Sequence, residues 1–278
     1  MKISILGSGQ MGRDIAVLLS QSDEIDSINL IVTNSNLRTK EKELADYYIL
    51  VSNEFKKKHD ISLYNKIKFT DSLSVLKDSN FVIESVSEDF EIKKSVINKA
   101  NQFIGEETLF FSNTSSLSIE KLSNEYRFKD KFIGLHFFNP AIKSKLVEIA
   151  VPEENQIRYV RPIISLLEDL GRTVLLIKDY PGYIVNRLIL AQINEALSIL
   201  EDGIASPSEI DSSFKIATNS LIGPLGLSDF IGNDVVLSMM ENLYEETNKD
   251  KFKANEVIKD MVKKRMLGVK TKAGFFKY

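Results

Sequence analysis

The three glycines of Ser4–Ala16, SILGSGQMGRDIA, constrain this chain more than any other feature. Gly7, Gly9 and Gly12 follow the spacing G-x-G-x-x-G, after the apolar run Ile3, Ile5, Leu6 and before a helical pattern. A backbone needs glycine where φ is positive or where another group must approach closely. Between a strand and a helix, such a turn leaves free N–H groups at the helix N-terminus, where the dipole favours an anion such as a dinucleotide pyrophosphate. Gln10 and Met11 lie inside the same turn. The spacing also suits a plain strand-to-helix turn, so the rest of the chain has to decide.

The first two thirds alternate short apolar runs with amphipathic ones. Strands are expected at Lys2–Leu6, Ser27–Thr33, Lys66–Phe69, Asn80–Val86, Thr108–Ser112, Lys131–Phe137, Lys145–Ala150 and Thr173–Ile177. Helices are expected at Met11–Ser20, Leu37–Lys58, Phe90–Phe103 and Asn155–Leu170. This alternation is that of βαβ units and a mostly parallel sheet. Composition changes at Asp179-Tyr180-Pro181-Gly182, and no strand pattern follows. Helical spacing runs through Tyr183–Ala205, then Pro207–Ala217, Leu227–Glu246 and Ala254–Arg265. The reading is an α/β dinucleotide-binding domain over 1–180 and an all-helical domain over 181–278.

Composition narrows the chemistry. With 36 Lys+Arg against 39 Asp+Glu, the formal charge of −3 lacks the basic excess of a nucleic-acid or membrane-surface binder. The chain has no cysteine and two histidines, His59 and His136, which excludes thiolate chemistry and leaves little material for a metal site. No cationic leader or membrane-length apolar stretch is present, so a soluble, cytoplasmic protein is expected.

Further stretches give the glycine turn its context: "FSNTSSLSI" at Phe111–Ile119, "GLHFFNP" at Gly134–Pro140, "KLVEIA" at Lys145–Ala150 and "PGYIVNRL" at Pro181–Leu188. Together, in this order, they resemble the L-3-hydroxyacyl-CoA dehydrogenase family, including its 3-hydroxybutyryl-CoA members. The likeness continues through "EALSILEDGIAS", "GPLGLSDFIGND" and "LGVKTKAGFF". It implies a Rossmann-type domain that binds NAD or NADP, followed by a helical domain for substrate and homodimer contacts. The activity implied is reversible oxidation of a short L-3-hydroxyacyl thioester to the 3-oxoacyl thioester, in fatty acid metabolism.

The residues support that chemistry separately. Oxidising an alcohol requires a proton acceptor, and imidazole titrates near neutrality. His136 is expected at the carboxyl end of a strand, where open α/β sheets bind ligands. Glu148 follows after a chain reversal at Asn139-Pro140, so antiparallel pairing would bring its carboxylate to the ring. By residue type alone, His136 also fits a hydrogen-bonded core histidine, and Glu148 an exposed strand end. The resemblance implies that they are a catalytic pair. It also places Ser115 and Asn186 on the substrate, Asn113 near the nicotinamide, and Glu88 and Lys93 on the cofactor side. His59, within "KKKHD", reads as a surface residue.

Two departures bear on specificity. Where an NAD-binding fold ends its second strand in an acidic residue, this chain has Thr33, followed by Asn34, Ser35, Asn36 and Arg38. Loss of that carboxylate removes its repulsion of a 2′-phosphate, so NADPH is expected to serve at least as well as NADH. The usual apolar pair before the lysine of "KLVE" is Lys143-Ser144, and the segment between Leu37 and Phe69 is shorter than in the mitochondrial members. Both leave room for an acyl-carrier-protein thioester in place of the CoA ester. A non-catalytic nucleotide-binding protein is the remaining alternative.

Overall fold

A computed structural model describes residues 1–32, 37–51, 61–153 and 156–278, with backbone alone at 37, 38, 50, 61 and 62. The chain divides into two compact units, Met1–Tyr180 and Pro181–Tyr278.

The first unit is built on one eight-stranded sheet in the order β3-β2-β1-β4-β5-β6-β7-β8. The strands are β1 (Lys2–Leu6), β2 (Ser27–Ile31), β3 (Ile67–Thr70), β4 (Phe81–Glu84), β5 (Leu109–Ser112), β6 (Phe132–Phe137), β7 (Leu146–Val151) and β8 (Thr173–Lys178). Only β6 and β7 pair antiparallel; every other pairing is parallel. The inner strands β4, β5 and β6 are buried at every position, as a sheet covered on both faces requires. Their near-continuous apolar sequences FVI, LFF and FIGL follow from that double burial. Helices α1 (Gln10–Ser20), α2 (Leu37–Val51), α3 (Ile61–Tyr64), α4 (Phe90–Ala100), α5 (Ile119–Ser123) and α6 (Ile157–Asp169) complete the unit. Ile15, Val17, Leu18 and Leu19 of α1 and Val160, Ile163 and Leu166 of α6 join Ile3, Ile5, Ile28 and Ile133 in its core.

Strand order reverses between β1 and β4, so the connections leaving their paired carboxyl ends turn away from each other around a crevice, the usual ligand position in such sheets. Gly7 follows β1 there and Ser85 follows β4; the Ser85 N–H donates to Leu6 O at 2.8 Å.

The second unit is helical: α7 (Val185–Glu201), α8 (Pro207–Thr218), α9 (Pro224–Ile231), α10 (Asn233–Thr247) and α11 (Glu256–Lys263). Leu190, Ile193 and Leu197 of α7 pack with Leu225, Val236, Met240, Leu243 and Ile258. Ser206 and Glu209 form a capping box at the start of α8, with Pro207 in the first helical turn. The tail closes on buried Asp229, whose carboxylate accepts the N–H groups of Phe275 and Phe276 at 3.0 and 2.9 Å and the Tyr278 hydroxyl at 3.1 Å. A side chain at Gly274 would lie 1.9 Å from that carboxylate, so the turn over it admits only glycine.

The expected mostly parallel α/β sheet followed by helices is what the chain forms, with differences in detail. The single helix expected over Leu227–Glu246 is two, because Gly232 at φ +106° breaks the backbone between α9 and α10. The long helix expected over Tyr183–Ala205 is trimmed at both ends, where Tyr183 (φ +48°) and Gly203 (φ +67°) leave helical geometry. Helix α2 runs to Val51, and the rest of the Leu37–Lys58 stretch, like His59, lies outside the described residues. The short α3 and α5 and a 3₁₀ turn at Leu73–Asp78 were not expected; none is long enough to show a helical period. Among the described residues, no helix is long and apolar enough to cross a membrane.

Candidate active site

The glycine turn is shaped by three different requirements. Gly7 sits at φ +110°, and a Cβ there would come within 2.6 Å of Ser85 O. At Gly12 a Cβ would lie 1.9 Å from Gly7 O, so α1 can pack this close to the turn only without a side chain. Gly9 faces open space, and it caps α1 with no side-chain bond to the helix. The first turn of α1 carries no acidic residue either. An uncapped helix N-terminus beside a bare, open glycine is a cradle fitted to a phosphate group. Gln10 is exposed at this end, while Met11 packs partly against the core.

Across the crevice, the carboxyl ends of β4 and β5 carry a dense polar cluster. Lys93, on the first turn and a half of α4, is fully buried, and its Nζ donates to both carboxylate oxygens of Glu84 at 2.8 and 2.9 Å. Glu84 also accepts the Ser112 hydroxyl at 2.6 Å and the Val86 N–H at 2.7 Å. The resemblance places Lys93 on the cofactor side; its ammonium is engaged beneath that side, on Glu84. Glu84 and Ser112 were not singled out in the sequence. The signal was a carboxylate ending an otherwise apolar strand, FVIE.

Glu88, in the connection between β4 and α4, reaches its carboxylate to the loop that follows β5. Its Oε1 accepts the Thr114 hydroxyl at 2.7 Å and the N–H groups of Ser115 and Ser116 at 2.7 and 2.9 Å. The Ser115 hydroxyl approaches the same oxygen at 3.1 Å. Burial pushes the Glu88 carboxyl upward, but the Lys93 ammonium and these donors outweigh it and hold it below the ordinary 4.5. A lowered folded value means Glu88 stabilises fully above the unfolded value and loses that contribution as pH falls through the folded one. Urea melts from pH 6 to pH 3 are therefore expected to show a smaller acid loss of stability in Glu88→Gln than in the parent; equal losses would contradict the assignment.

Asn113 spans the strand ends. Its Oδ1 accepts the Phe137 N–H at 3.0 Å, and its Nδ2 donates to Ser85 Oγ at 3.3 Å.

His136 and Glu148 are direct partners in the antiparallel β6–β7 register, which points both side chains to one face. Nδ1 of His136 lies 2.9 Å from Glu148 Oε2, with both residues buried. A carboxylate at Nδ1 holds the tautomer in which that nitrogen carries the proton and Nε2 is the basic atom. The Phe138 ring packs 4.4 Å from the imidazole, centroid to centroid.

The first unit thus brings Gly7, Gly9, Glu88, Asn113, Ser115, His136 and Glu148 to the carboxyl edge of one sheet. Asn186 belongs to the helical unit, buried on the first turn of α7. Thr33 and Asn34 lie outside the described residues, as does the Arg38 side chain.

Comparison with known proteins accounts for the whole chain. Residues 2–180 match the family model "3-hydroxyacyl-CoA dehydrogenase, NAD binding domain", and residues 182–278 match the "3-hydroxyacyl-CoA dehydrogenase, C-terminal domain". The 3-hydroxybutyryl-CoA dehydrogenase of Clostridioides difficile is 34% identical, covering 100% of this chain and 99% of the relative. The human mitochondrial hydroxyacyl-coenzyme A dehydrogenase is 30% identical over 99% of this chain and 90% of its own. The crystal structure of (S)-3-hydroxybutyryl-CoA dehydrogenase from Ralstonia eutropha superposes with a TM-score of 0.89 at 31% identity, covering 100% and 98% of the two chains. A non-catalytic reading has no place beside these matches. The chain belongs to the 3-hydroxyacyl-CoA dehydrogenase family: it is an oxidoreductase with that family's NAD-binding and C-terminal domains.

Proposed function

We propose that this protein interconverts a short L-3-hydroxyacyl thioester, of the 3-hydroxybutyryl-CoA kind, and the corresponding 3-oxoacyl thioester. The reading is carried by the His136–Glu148 pair, 2.9 Å apart at the sheet edge that also bears the glycine turn and Asn113. When bound, the nicotinamide supplies the hydride acceptor or donor. The chain manages the proton. With Nδ1 facing Glu148, His136 takes the hydroxyl proton on Nε2 as hydride leaves the same carbon, and returns it to the alkoxide oxygen in reduction. Ser115 hydrogen-bonds the substrate oxygen, and Asn186 helps hold the substrate. Gly7, Gly9, Gln10, Met11 and Gly12 receive the pyrophosphate, with Glu88 and Asn113 beside the nicotinamide ring and Lys93 supporting both from beneath.

Acetoacetyl-CoA and an acetoacetyl acyl-carrier-protein thioester, each with NADH and NADPH, test the reading in one assay matrix. The CoA ester is expected to turn over. Activity confined to the carrier-protein thioester would move the protein to the alternative substrate, and none with either would defeat the proposal. From Thr33, Asn34 and Arg38, NADPH is expected to match or exceed NADH in kcat/KM. A hundredfold preference for NADH, about 2.7 kcal/mol, would overturn that expectation.

The helical unit is proposed to form a two-fold dimer through Leu188–Leu200 and Leu227–Tyr244. Leu188 (61% exposed), Phe230 (67%) and Val235 (42%) lie on these stretches as exposed apolar side chains that such a partner would cover. Sedimentation of a dimer at micromolar concentration is expected, and a monomer would contradict it.

A further inference from the structure

Asp14 is a buried carboxylate to which neither the glycine spacing nor the chemistry above assigns a task. It lies two residues past Gly12 on α1, fully buried beside Ile15, Ala16 and Val17. A charge in such company is costly unless its oxygens are well used. Both are. Oδ2 accepts the Ala141 N–H at 3.0 Å, and Oδ1 accepts the Tyr47 hydroxyl of α2 at 2.5 Å.

Ala141 stands in the turn that follows β6, five residues beyond His136. There the N–H groups of Lys143 and Ser144 both donate to Pro140 O at 3.0 Å. The opposite side of the turn is held by Arg172, whose guanidinium donates to Ile142 O and Ser144 O, each at 2.9 Å. At its start, Gln10 Nε2 donates to Asn139 Oδ1 at 3.1 Å. The turn is therefore clamped between an anion on its N–H side and a cation on its carbonyl side. The anion comes from the helix that opens the glycine cradle.

We propose that Asp14 is a positioning residue: it fixes the 139–144 turn, and through it the strand end carrying His136 and Phe138, against helix α1. The inference rests on His136 as the proton carrier. Asp14 touches neither substrate nor cofactor in this account. It sets the distance between the proton-transfer side and the hydride side of the site, and a misplacement of about 1 Å there can cost on the order of a hundredfold in rate.

The experiment compares Asp14→Ala and Asp14→Asn in the full-length protein. Three quantities are read: kcat with acetoacetyl-CoA, NADH affinity by fluorescence titration, and hydrogen exchange over 139–144. Asp14→Ala is expected to lower kcat about ten- to a hundredfold, with NADH affinity near the parent's and faster exchange at Ala141. Asp14→Asn keeps an oxygen for the Ala141 N–H and is expected to recover most of kcat. Asp14→Ser, too short to reach that amide, carries the alanine expectation if the alanine variant does not fold. Parental kcat in the truncated variants would overturn the proposal, as would equal losses in kcat and NADH affinity, or an asparagine variant no better than alanine. If His136→Gln proved fully active, the proton-carrier reading would fall by that result alone; unchanged exchange at Ala141 in the truncated variants would sink the clamp whatever His136 does.

Discussion

Glutamine at position 136 is expected to lower thioester turnover by about 10²–10⁴-fold, the usual contribution of a positioned general base. NADH should still bind, because His136 lies on β6 while the glycine cradle is built by β1 and α1. The loss should appear in kcat and kcat/KM together, as removal of an interaction made in the transition state does. Glu148→Gln should give a smaller loss of the same kind. Its amide keeps the shape of the carboxylate, but its NH₂ group can donate to Nδ1 and so stabilise the wrong tautomer. Steady-state kinetics in both directions and an NADH titration check these outcomes. A glutamine variant with near-parental kcat would remove His136 from the chemistry.

The second large effect is expected beneath the site. Lys93 and Glu84 form an ion pair with both side chains at 0% exposure. A pair buried this completely contributes little net stability over an apolar replacement, but breaking it leaves one charge buried and alone, at a cost of about 3–5 kcal/mol. Lys93→Met should therefore destabilise the first unit by that amount in urea melts. The double variant Glu84→Gln, Lys93→Met, which removes both charges, should recover much of it. NADH affinity should fall in the single variant as well, since Lys93 Nζ also reaches Asn113 O at 3.4 Å and lies 3.6 Å from Glu88. A single variant as stable as the parent, or a double variant no better than the single, would show that the pair is not held as described.

What was legible in the sequence was whatever repeats or is spaced. All eight strands announced themselves as apolar runs, and the antiparallel β6–β7 pairing that aligns His136 with Glu148 followed from the reversal at Asn139-Pro140. Long helices were legible for the same reason. The break at Gly232 was not, because apolar spacing continues across it and a single positive φ leaves no periodic trace. Side-chain networks were least visible. Ser112, Thr114 and Asp14 are common residue types at unremarkable spacings, and Glu84 is marked only by ending an apolar strand. Their roles come from contacts between segments far apart in sequence, such as the 127 residues separating Asp14 from Ala141. By residue type alone Lys93 would be one more solvated helix lysine, and its ion pair with Glu84 at the end of β4 is what holds it inside.

In the proposed reaction, hydride passes from the nicotinamide to C3 of a 3-oxoacyl thioester while His136 delivers the proton. Acetoacetyl-CoA reduced by NADH deuterated at both C4 positions, with the product resolved by chiral chromatography and mass spectrometry, tests it most directly. L-3-hydroxybutyryl-CoA carrying one deuterium at C3 is the predicted product, formed by the parent and nearly absent with His136→Gln. The D isomer, an unlabelled product, or equal labelled yield from both proteins would contradict the account.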